Sequence, residues 1–151
     1  MAKHARAPIS DAKEHLMAEA QIVTADDPGK GGLQMMVAAG PARIVADQPL
    51  EAGGLDLGPT PHQLVSAGLA SCVAQTVRLY ANQKGWPLGH VQVSVAHQKD
   101  EAQTPADGFI VTVKLEGPLS AEQTERLMQI ADRCPIHRML AAGARVTTAA
   151  A

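Results

Sequence analysis

The segment GPTPHQLVSAGLASCVAQTVRLYANQKGWPL, residues 58–88, decides the fold. Thr60 is suited to cap a helix, Pro61 to stand first in it, and Gln63 to complete a capping box. Gly85 and Pro87 stop it. The pattern therefore predicts a helix from Pro61 to about Lys84, roughly 36 Å long at about 1.5 Å per residue. Val65, Leu69, Cys72, Thr76 and Tyr80 recur at helical spacing and mark an apolar face. Ser66, Ala67, Gly68, Ala70 and Ser71 crowd the first half with small side chains, which let another helix approach closely. The segment predicts a central helix buried on more than one side.

Upstream, residues 1–17 form a polar lead-in, and DAKEHLMAEA (11–20) can make a short helix capped by Asp11. AEAQIVTA (18–25), LQMMVAA (33–39) and ARIVAD (42–47) read as three strands. The turn chemistry of DDPGKGG (26–32) and Gly40-Pro41 separates them into an antiparallel meander. The Gly/Pro-rich stretch QPLEAGGLDLGPTP (48–61) is a long loop, and loops of that length are often functional.

Downstream, HVQVSVAHQ (90–98) and FIVTVKLEG (109–117) alternate apolar and polar residues and form a hairpin with one inward face. His97 is expected on the solvent face of its strand. Ser120 and Gln123 form a second capping box, opening a helix whose stripe runs through Leu127, Ile130, Ala131 and Cys134. Pro135 breaks that ladder and starts a shorter helix over 135–141. Gly143 ends it, and ARVTTA (144–149) reads as a last strand. Two clusters of strands, each followed by helices, argue for an α+β fold with antiparallel sheet. The expected organisation is a single domain over 18–151 behind the lead-in.

Composition narrows the function classes. One Phe, one Tyr and one Trp leave the core to Ala, Val, Leu, Ile and Met, which bury less area per residue and favour oligomerisation. The formal charge is −2, and no Lys/Arg cluster suggests nucleic acid. No apolar run is expected to approach the roughly 18 residues that span a membrane. MAKHARAPISDAKEHL lacks the apolar stretch of a signal peptide. The expected location is the cytoplasm, where disulfides are usually transient and catalytic or redox-sensing.

The two cysteines carry the chemistry. Cys134 precedes Pro135, which pushes it out of helical geometry and places it at a helix junction. Free N–H groups and the helix dipole there are expected to lower its pKa, with His137 and Arg138 adding positive charge. Cys72 lies mid-helix, where most cysteines are small buried hydrophobes. Together the two can act as an attacking and a resolving thiol. A zinc site built from His62, Cys72, Cys134 and His137 fails on geometry. His62 and Cys72 are about 15 Å apart along one helix and cannot share a metal within a chain.

The segment 58–88 resembles the central-helix signature of the OsmC/Ohr family, and ADRCPIHRML (131–140) resembles its second cysteine motif. IVADQPLEAGG before the helix fits as well, so the resemblance spans roughly 33–148. It implies an OsmC-like fold, an intertwined homodimer with sites at the subunit interface, and a thiol peroxidase for organic hydroperoxides in stress defence. The implied reductant is an external dithiol, with no other cofactor and no metal. Cys72 would be the attacking cysteine and Cys134 the resolving one, with His62, His137 and Arg138 as assisting residues. Two departures stand out. Where the peroxidase branches place a glutamate ten residues before the first cysteine, this chain has His62. No arginine matches the one that the glutamate braces, since Lys30 and Arg43 are the only basic residues of the meander. These departures place the chain nearer the general OsmC-like branch. They also leave room for a non-enzymatic dimer that binds a small apolar ligand or senses redox state.

Overall fold

The computed structural model describes residues 22–150. The short helix expected over 11–20 and the start of the strand expected at 18 lie outside them. The chain divides into two compact units, Met1–Thr60 and Pro61–Ala151.

The first unit holds β1 (Val23–Asp26), β2 (Met35–Ala39) and β3 (Ala42–Ala46), an antiparallel meander in that order. Val23 pairs with Ala39 and Met35 with Ala46. Asp47, only 1% exposed, follows β3 and organises the loop behind it. Its carboxylate accepts hydrogen bonds from the Gln34 side chain (2.8 Å) and the backbone N–H groups of Gln48 (2.8 Å), Leu55 (3.0 Å) and Leu57 (3.1 Å). Burial alone would raise its pKa; these four donors outweigh burial and hold it below the usual carboxylate value. The loop is thus folded onto one charge, with a single 3-10 turn at Leu50–Ala52. Gly58 passes so close to Val45 that a Cβ would fall 1.8 Å from its carbonyl oxygen, which is why a glycine stands there.

The second unit is built on α1 (Pro61–Lys84), 24 residues long as the sequence predicts. The hairpin of β4 (His90–Lys99) and β5 (Asp107–Glu116) and the helices α2 (Ala121–Ala131) and α3 (Pro135–Ala142) pack on it. Arg78 ties the end of α1 to the start of β4, donating to the carbonyls of Leu88 and Gly89. The Ser120/Gln123 capping box of α2 is complete.

Three expectations need correction. The buried line on α1 is Leu69, Val73, Val77 and Ala81, so the core face is rotated by about one residue from the predicted stripe. Cys72 and Tyr80 flank that line, and Val65 is 44% exposed. Residues 144–149 form no strand, because none of the described strands takes them as a partner. Finally, α1 is long and apolar enough to cross a membrane by length and composition, although it packs in the core of its unit on one side.

Candidate functional site

Two helices bring the cysteines together. Leu69, Val73 and Val77 seat α1 against α2 and the hairpin, which fixes Cys72 at the border of the core. Cys134 ends the turn after α2 with extended backbone (φ −59, ψ 137) and caps α3, with Pro135 in the first turn. That geometry is what a residue before proline favours. The Cys134 Sγ accepts the backbone N–H of His137 at 3.4 Å, and the Cys72 thiol is near enough to raise the Cys134 pKa. Both are free thiols; Cys72 is half-buried and Cys134 is fully buried.

The predicted direction of the Cys134 pKa is reversed. Burial pushes the thiol up first, and the Cys72 thiol beside it pushes further. The N–H groups of His137 and Ile136 pull it down, as expected at a helix start, but do not prevail. Cys134 is therefore held as a neutral thiol, and Cys72, half-buried, is the more accessible of the two.

A cleft of about 360 Å³ adjoins the pair. Leu69, one turn before Cys72, and His137, bonded to Cys134, both line it, together with Phe109, Val111 and Leu140. Apolar surface with one or two polar groups is the usual character of a small-molecule site. A larger polar cleft of about 590 Å³ lies at Tyr80, Lys84, Trp86 and Arg126. Tyr80 accepts a hydrogen bond from Arg126 (3.2 Å), which, with the nearby cations, lowers its pKa against the effect of burial. Neither cleft is lined by a thiol; the smaller one is the better candidate because His137, whose backbone N–H bonds to Cys134, is among its lining residues.

The assisting residues separate. His137 is at the site, with its imidazole 3.8 Å from the Asp132 carboxylate. Arg138 is exposed on α3, and its contact with Cys134 is backbone N–H to carbonyl oxygen, 3.1 Å. His62 sits at the start of α1, about 15 Å along the helix from Cys72. There it stacks on His97, ring centroids 4.9 Å apart.

His97 lies on the inward face, not the solvent face. It pairs across the hairpin with Phe109 (centroids 5.1 Å) and its Nε2–H donates to Asp107 Oδ1 at 2.8 Å. Asp107 also lines the cleft. The signal for His97 was its parity: it continues Val91, Val93 and Val95 at two-residue spacing. Asp107, at a strand start after a turn, gave none.

The profile of the OsmC-like protein family matches residues 53–149. No curated protein matches the chain by sequence. Solved structures do. An OsmC-like protein from Mycoplasma pneumoniae is 21% identical with a TM-score of 0.67, over 83% of this chain and 89% of that one. An organic hydroperoxide resistance protein OsmC from Legionella pneumophila is 23% identical with a TM-score of 0.59, over 82% and 90%. The organic hydroperoxide resistance protein OhrB of Bacillus subtilis is 24% identical with a TM-score of 0.55, over 80% and 89%. At these identities the likeness to the solved structures is one of fold. With the family profile covering both cysteines and all three α-helices among the described residues, the chain belongs to the OsmC-like protein family.

Proposed function

We propose that this chain is a thiol peroxidase that reduces organic hydroperoxides in oxidative or osmotic stress. The observation that carries the reading is the pair of neighbouring free thiols, one half-buried and one buried, with His137 next to the buried one at an apolar cleft. The Cys72 thiolate attacks the terminal peroxide oxygen, and the O–O bond breaks. The departing alkoxide takes a proton and leaves as the alcohol, and Cys72 becomes a sulfenic acid. The Cys134 sulfur then attacks the Cys72 sulfur, expelling the hydroxyl as water and closing a disulfide. Cys134 loses its thiol proton in that step. An external dithiol reduces the disulfide and is itself oxidised to one. His137 is assigned the assisting role at Cys134, whose sulfur its backbone N–H already holds. The active form is a homodimer, in which residues 18–151 serve as one OsmC-like domain. The setting is the cytoplasm.

A second reading is favoured by position 62. A histidine stacked on His97 supplies no fixed negative charge to brace an arginine. The protein would then be a weakly active dimer that binds a small apolar ligand or senses redox state.

Stopped-flow consumption of cumene hydroperoxide and hydrogen peroxide by pre-reduced protein decides between them. Under the peroxidase reading two thiols per chain disappear, the organic peroxide is preferred, and Cys72→Ser falls to the uncatalysed rate with its fold retained. Normal consumption by Cys72→Ser, or slow thiol loss in the wild type, removes the peroxidase and leaves ligand binding as the function to measure.

A further inference from the structure

The polar part of the cleft beside the thiols is unusual for its charge. Its floor is apolar, from Leu69 on α1 through Phe109 and Val111 on β5 to Leu140 on α3. Its polar side chains are Asp107 and His137, and no Lys or Arg is among its lining residues. His137 is itself faced by a second carboxylate, Asp132, at 3.8 Å. Asp107 is half-exposed and engaged on one side. His97 holds its Oδ1 at 2.8 Å, and Phe109 holds the His97 ring in turn. The diagonal placement of His97 and Asp107 follows from the hairpin register, in which Phe109 faces His97 and Asp107 faces Lys99. Lys99 reaches Glu101 and is engaged there. A carboxylate is thus placed at a cleft whose only other polar lining side chain is His137.

We propose that Asp107 makes this cleft a charge filter that admits uncharged alkyl and aryl hydroperoxides and turns away carboxylate-bearing ones. The proposal rests on the peroxidase reading for its substrates, but the filter itself is a property of the cleft. A neutral hydroperoxide meets apolar walls and gives up little solvation. An anionic one must bring its carboxylate near the Asp107 carboxylate in a site drier than bulk water, where like charges repel more strongly. Nothing in the cleft lining offers such an anion the bidentate pairing that an arginine would give. His97 positions Asp107, and the His62 ring stacked on His97 helps hold it.

The test compares para-carboxycumene hydroperoxide with its methyl ester, which share the same O–O bond and nearly the same shape. Pre-reduced wild-type protein is expected to consume the ester about tenfold faster than the acid. Asp107→Asn should bring the two rates within about twofold, and Asp107→Glu should keep the preference. In parallel, Cys72 is alkylated with iodoacetamide and with iodoacetate, with Cys134→Ser as background. The ratio, normalised to N-acetylcysteine, should favour the neutral reagent with Asp107 and lose that preference in Asp107→Asn. Equal rates for acid and ester in the wild type overturn the filter, as does a preference that Asp107→Asn leaves unchanged; either leaves the peroxidase standing if peroxide is consumed. If neither peroxide is consumed but the alkylation ratio shifts with Asp107, the filter stands and the peroxidase reading falls.

Discussion

Cys134 shows what one residue's sequence context can and cannot say. The proline after it dictates a helix junction, and the junction is there, with the sulfur capping α3. The context also suggests a lowered pKa, yet burial and the Cys72 thiol, far upstream in the chain, raise it. Those causes depend on how α1 packs against α3, which no local pattern contains. The raised pKa has a consequence for stability. The folded state keeps the proton to higher pH than the unfolded chain does, so the stabilisation is fully present below the ordinary thiol value. It is lost as pH rises through that value towards the folded one. Urea midpoints of reduced protein from neutral to alkaline pH should therefore fall more steeply for wild type than for Cys134→Ser. One proton sets the ceiling on the difference, about 1.4 kcal/mol per pH unit. Identical slopes would show that Cys134 ionises alike in both states. His97 teaches the reverse lesson: its strand parity was readable, and the solvent-face expectation overlooked it.

At the scale of elements, the helices and the hairpin were legible because their signals are local. Caps, prolines and apolar periods placed α1, α2, α3, β4 and β5 to within a few residues. The predicted strand over 144–149 had β-forming residues but no partner, and a strand exists only in a pair. Val146 is instead 87% exposed. The loop after β3 was recognised as long, but not as ordered. Its order comes from the buried Asp47, which satisfies amides from as far along as Leu57. Asp47→Asn removes one acceptor oxygen, so the Leu55 and Leu57 amides should exchange about tenfold faster in hydrogen-exchange measurements. The pH dependence has the opposite sign to that of Cys134. Asp47 is depressed in the fold, so its contribution is present above the ordinary carboxylate value and is lost as pH falls through the folded value. The wild-type loop should loosen in acid, and the variant should show no further acid loosening from this site. Unchanged exchange of both amides would mean the loop is held by other contacts.

At the scale of the molecule, the sequence predicted a central helix buried on more than one side, and a single chain buries one. Leu69, Val73, Val77 and Ala81 face the core, while Val65 and Leu79 remain 44% and 51% exposed. The hairpin presses its inner face on α1 and leaves Ile110 51% exposed on the other. In its two-stranded sheet both outer edges are unpaired among the described residues, and open edges invite a partner. With few aromatics, the core has little area to spare, so covering these surfaces contributes more than it would in a chain with a larger interior. A stable interface buries about 1,200–2,000 Å² in total, which the free side of a helix this long can supply much of. The expected outcome is a homodimer in sedimentation velocity at micromolar concentration, at twice the chain mass. Leu79→Glu places a charge in the covered face and should shift the equilibrium to monomer by about tenfold or more in Kd. Thr124→Glu, at an exposed polar position of α2, tests whether any added charge does the same. A wild-type monomer, or equal dissociation by both variants, would mean that this helix face is not what joins two chains.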